Sequence, residues 1–210
     1  MRKLEGIYLV LDPVQEEKSL LKSLRQALEG GVGLVQIWNH WPETFCHKDK
    51  VELSKKIQTI ASEFAVPVLI NADLELALEA ELDGVHLDRI PENWDAIRPL
   101  FAEKLLGITV GNDLDLVRWA DKNQLSYISF CSVFPSSSVD TCELVLPSSI
   151  QKARELTVLP IFLSGGIRPD NLPQLDAYAY EGVAVISGIL GAEDPKQAAN
   201  AYLQLLKSKP

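Results

Sequence analysis

Two short stretches near the C-terminal end carry the clearest chemical signal in this chain, "LSGGIRPDN" (163–171) and "VISGI" (185–189). In each, glycine follows an apolar run directly. Glycine lets backbone N–H groups come close to an anion, and the start of a following helix adds its positive dipole, so the pair suits a phosphate. Gly165, Gly166, Ile186, Ser187 and Gly188 are the phosphate-binding candidates. The plainer reading, that Gly165-Gly166 only makes a tight turn, accounts for one such stretch more easily than for two in succession.

A second candidate group lies in "LVQIWNHW" (34–41), where an apolar run ends in Gln36, Trp38 and His40. Tryptophan faces suit planar or cationic rings. Trp38 and Trp41 would equally plug a cavity or form a homodimer contact, and the sequence leaves these readings open. Further polar residues close other apolar runs: Asn71, Asp88 with Arg89, Thr109, and Cys131 with Ser132. Arg89 and a protonated His40 are cations that could meet a phosphate. Asp88 and Asp73 are carboxylates that could hold a divalent cation. Against these stand a helix N-cap for Asp73 and a solvated loop charge for Arg89. His86 sits inside an apolar run and reads as structural.

Residues so far apart can meet only if the chain brings the ends of its apolar runs together. Eight runs are short, β-branched and nearly continuous, as strands are when both faces are covered: 6–11, 34–38, 67–71, 83–87, 105–109, 127–130, 160–164 and 182–187. Between them, segments with helical periodicity are predicted at 16–30, 48–64, 73–81, 92–101, 113–122, 147–156, 170–178 and 194–207. Strand then helix, eight times, predicts an α/β protein of the (β/α)₈ TIM-barrel class, a single domain over residues 1–210. A doubly wound sheet would place a glycine-rich turn after its first strand, and "VLDPVQ" has none. In a barrel, the strand ends named above all gather at one face.

Composition narrows the partners. A net charge of −9 with scattered Lys and Arg argues against nucleic acid. Nothing in the chain is long and apolar enough to span a bilayer, and three cysteines without metal-type spacing fit reduced thiols, so no membrane and a cytoplasmic location are expected. The expected partner is a phosphorylated small molecule.

The blocks "GVGLVQIWNH", "VPVLINADLELALEAELDGVHL", "LLGITVGN", "SYISFCSVFPSSS", "LSGGIRPDN" and "EGVAVISGIL" resemble, in order and spacing, those of the thiamine phosphate synthase and thiazole tautomerase family. The resemblance implies a (β/α)₈ barrel that binds a thiazole phosphate at its double-glycine end. It also implies a synthase reaction: a pyrimidine pyrophosphate ionises and the thiazole nitrogen captures the carbocation, with Mg²⁺ and basic side chains holding the leaving pyrophosphate. If that activity is kept, Mg²⁺ is the expected cofactor, and otherwise none.

Several positions depart from the family pattern. Where it has glutamine, an apolar residue, arginine, any residue and lysine, this chain has Gln36, Ile37, Trp38, Asn39 and His40. The metal-binding aspartate after Asn71 is replaced by Ala72, and the block after the fourth strand offers Asp88 and Arg89 in place of glycine-glutamine and a second aspartate. Thr109 stands for serine, Ser136 and Ser138 match hydroxyls that touch pyrophosphate, and Val139 replaces a lysine. The tautomerase branch carries a catalytic histidine at the position of Ser132. The alternative to a synthase is therefore a non-catalytic or re-purposed relative that binds a phosphorylated heteroaromatic ligand.

Overall fold

In the computed structural model, which describes residues 3–135 and 143–209, eight parallel strands close into a barrel in sequence order, the last pairing with the first. The strands are β1 (Gly6–Leu11), β2 (Val32–Ile37), β3 (Val68–Asn71), β4 (Gly84–Leu87), β5 (Leu105–Thr109), β6 (Tyr127–Cys131), β7 (Ile161–Ser164) and β8 (Gly182–Val185). The helices are α1 (Glu17–Glu29), α2 (His47–Ser62), α3 (Leu74–Glu79), α4 (Trp94–Ile97), α5 (Leu114–Lys122), α6 (Pro147–Leu156), α7 (Ser187–Leu190) and α8 (Pro195–Lys207). This is the (β/α)₈ class that the alternation predicts.

Local chemistry explains where the helices start. Glu16 accepts from the backbone N–H groups of Lys18 and Ser19 and caps α1, whose buried stripe is Leu20, Leu24, Ala27 and Leu28. Asp73 accepts from Leu76 N at 3.0 Å and caps α3, so its carboxylate is engaged as an N-cap. Two predicted helices are shorter than their periodicity suggests. Residues 92–101 form α4 and then a 3₁₀ turn at Arg98–Phe101, and 170–178 contributes only a 3₁₀ turn at Leu172–Leu175. Pro99 and Pro173 are the reason, since each lacks an N–H and disfavours the α conformation in the residue before it. The α7 turn lies in the tail of the run read as strand 182–187 and was not anticipated.

Successive side chains of each strand point to opposite sides of the sheet, and both sides are apolar. One set, including Ile7, Leu9, Val35, Ile70, Ile108 and Leu163, packs outward under the helices. The other set, Tyr8, Leu34, Leu69, Tyr127 and Phe162, fills the barrel interior. Gly107 makes that filling possible. A Cβ there would sit 2.1 Å from the Tyr127 ring, so only glycine on β5 admits the aromatic side chain from β6.

Candidate functional site

A cavity of about 820 Å³ opens at the C-terminal ends of the strands, floored by the interior side chains. It gathers Gln36 from β2, Asn71 from β3, Asp88 beyond β4, Thr109 from β5 and Trp38 just past β2. The turn after β7 brings Gly165 and Gly166, and the start of α7 brings Ile186, Ser187 and Gly188. Strand register accounts for part of this grouping, because Asn71 pairs with His86 and Thr109 with Ser129 on neighbouring strands.

The double-glycine turn is fixed by its surroundings. Gly165 and Gly166 have φ of +92° and +62°, a region costly for residues with a Cβ. A Cβ on Gly165 would lie 2.1 Å from Ser132 Oγ, and one on Gly166 2.5 Å from Pro135 O. Buried Asn171 accepts from Arg168 N and donates to Gly166 O, both at 2.8 Å, and so staples the turn shut. The first amides of α7 have no partner within their helix. Together these turns present small, backbone-rich surface at one end of the cavity.

On the cavity floor lies a chain of polar side chains, buried except for the half-buried Thr109. Tyr8 OH donates to Gln36 Oε1 and meets Tyr127 OH at 2.8 Å. Tyr127 OH meets His86 Nδ1 at 2.8 Å, His86 Nε2 meets Thr109 Oγ1 at 2.8 Å, and Thr109 meets Ser129 Oγ at 3.0 Å. Burial pushes the His86 imidazolium pKa down to about 4. Burial likewise raises both phenols, so the whole chain stays uncharged near neutral pH. Asn71 Nδ2 donates to Asp88 Oδ1 at 2.9 Å and holds that carboxylate at the rim.

The remaining predicted residues are placed as follows. His40 lies outside the cavity lining, exposed, with Nδ1 3.1 Å from Asp12 Oδ1 and its ring 4.7 Å from that of Trp38 at a 43° tilt. Arg89 is exposed and also outside the lining. Ser136 and Ser138 lie outside the described residues. Trp41 packs against Phe45 and donates to Asn39 Oδ1 at 2.8 Å rather than entering the cavity. Tyr8, Tyr127, Ser129, Ser164 and Arg168 were missed. The aromatic pair looks like ordinary core in sequence, whereas Arg168 follows the double glycine closely enough to have been suspected.

The residues present do not fit the expected Mg²⁺. A hard divalent cation needs several converging oxygens. Among the described residues no three acidic, histidine or cysteine side chains converge, and Asp88 is engaged with Asn71. Asp88, the predicted metal ligand, is placed at the rim with its Oδ1 accepting from Asn71. Asp73, the other candidate, is committed to its helix cap.

Fold and site together define a closed (β/α)₈ barrel with a cavity at the strand C-termini, one end of it made of glycine turns. The family model for thiamine monophosphate synthase matches residues 7–189. The thiamine-phosphate synthase of Vibrio campbellii is 32% identical over 96% of this chain and 98% of its own length. That of Bacillus thuringiensis is 30% identical over 97% and 94%. The thiamine phosphate pyrophosphorylase structure from Pyrococcus furiosus superposes with a TM-score of 0.81 at 23% identity, covering 96% of this chain and 95% of that one. The chain belongs to the thiamine monophosphate synthase family, and its function lies in thiamine biosynthesis. No helix among the described residues is long and apolar enough to cross a membrane.

Proposed function

We propose that the protein joins a pyrimidine pyrophosphate to a thiazole phosphate, in the cytoplasm, using the cavity at the barrel mouth. The observation that carries this reading is the adjacency, in one cavity, of the glycine turns at 165–166 and 187–188 with Gln36, Trp38 and Asn71. The glycine end suits the phosphate monoester of the thiazole. Gln36 and the Trp38 face suit flat heteroaromatic rings, which they would hold close enough for the ring nitrogen to trap the cation left when pyrophosphate departs.

A second reading is favoured by the charge of the lining. Arg168 is the one Lys or Arg among the described residues that face the cavity, and its guanidinium is already bound to Asp170 at 3.0 and 3.2 Å. A cation about 4 Å from a departing anion contributes about 4 kcal/mol at an effective dielectric of 20. A cavity short of such cations suits a binding protein for a phosphorylated heteroaromatic better than a fast synthase. Steady-state turnover of the two substrates, with and without Mg²⁺, decides between them. Turnover that Gly165→Ala abolishes supports the synthase. Saturable quenching of tryptophan fluorescence by thiazole phosphate without turnover supports the binding protein, and neither signal refutes both.

A further inference from the structure

The polar chain on the cavity floor admits a proton count. Tyr8 has one hydroxyl proton, and it is donated to Gln36 Oε1. The proton between Tyr8 and Tyr127 must then belong to Tyr127. Tyr127 has none left for His86, so the contact at 2.8 Å is made by an imidazole N–H on Nδ1. A neutral imidazole carries one N–H, so Nε2 is bare and accepts from Thr109. Thr109 in turn accepts from Ser129. Every bond in the chain therefore points the same way, from Ser129 toward Gln36. At its end Gln36 Oε1 accepts from Tyr8, which fixes the amide with its oxygen on the Tyr8 side and its two N–H bonds on Nε2 turned away from it.

We propose that Tyr8 is a positioning residue that locks the Gln36 amide with its oxygen turned to the barrel floor, making Gln36 a hydrogen-bond donor that selects aromatic rings bearing a bare nitrogen. This rests on the reading that the cavity holds a phosphorylated ring, and it names which ring chemistry the cavity prefers. The lock is rigid because each member is held on a strand: Tyr8 on β1, Gln36 on β2, His86 on β4, Thr109 on β5, Tyr127 and Ser129 on β6. Tyr8, Tyr127, His86 and Gln36 are all buried, so water does not compete for their protons. Reversing the chain would require the amide to flip and every proton to move together. Because burial suppresses charge on His86 and both tyrosines, no single titration near neutral pH supplies that reversal.

Two measurements on the intact chain test this. With only three histidines, ¹⁵N-histidine NMR at pH 7 resolves the His86 ring. The expected pattern is protonated Nδ1 and bare Nε2, whereas a proton on Nε2 overturns the proposal. Binding by calorimetry then compares benzyl phosphate, the three pyridylmethyl phosphates and inorganic phosphate. The best pyridyl ester should bind about fivefold tighter than benzyl phosphate, the worth of one neutral hydrogen bond. In Tyr8→Phe this preference should vanish while inorganic phosphate binds as before. An unchanged preference in the variant overturns the role of Tyr8. If the wild-type protein binds no phosphate at all, the phosphate reading itself fails, and the NMR pattern alone decides the direction of the lock.

Discussion

Replacing His86 by Gln should flatten the acid sensitivity of this protein. His86 is buried with both ring nitrogens engaged, and its pKa falls from 6.5 to about 4 on folding. The sign follows from proton counting. Between those two values the unfolded chain binds a proton that the native state refuses, so native stability is present above pH 6.5 and is lost as pH falls toward 4. The linkage relation puts the loss between pH 7.5 and pH 5 at about 2 kcal/mol, rising to about 3 kcal/mol below pH 4. Urea unfolding at pH 7.5 and pH 5 on wild type and His86→Gln measures it. The variant starts from lower stability, having lost part of the polar chain, but the slope with pH is the relevant readout. The other titrating groups are shared and cancel in the difference. A wild-type loss larger than that of the variant by about 2 kcal/mol is expected. Equal losses would show that His86 is charged or exposed in the native state, and the uncharged floor of the cavity would be wrong.

Other perturbations probe separate parts of the structure. Gly107→Ala drives a methyl group to 2.1 Å from the buried Tyr127 ring, which should cost about 1–3 kcal/mol in chemical unfolding and disturb the His86 ring signals. His47, hydrogen-bonded to Glu79 at 2.5 Å, has its pKa raised by that bond and by the carboxylate charge. The stability from this pair is therefore full below the ordinary histidine value and is lost as pH rises through the raised one. In Glu79→Gln, NMR titration should show the His47 pKa dropping back toward its ordinary value.

Much of the architecture can be read directly, because parallel strands covered on both faces leave short β-branched runs that little else imitates. The runs at 34–38 and 127–130 both mark true strands, differing from them only at their ends. Helices failed where proline intervened: the apolar spacing of 92–101 and 170–178 persists through Pro99 and Pro173, while the backbone cannot. At the site, residues that end strands were legible, since closure of the barrel gathers them whatever their sequence separation. The polar floor was not. Tyr8, His86 and Tyr127 each sit alone in an apolar run, and only strand register reveals that their polar atoms meet. Arg89 and His40 are exposed outside the cavity lining, for a loop charge beside a strand end can face solvent as easily as ligand.

Gly107 cedes its own side-chain volume so that Tyr127 can occupy the middle of the barrel. That trade leaves the lower interior packed and solid while the mouth above stays open, with the boundary drawn by uncharged hydroxyl, imidazole and amide groups. The rim can therefore carry different side chains, an indole such as Trp38 among them, without loosening the stave-like wall that keeps the vessel standing.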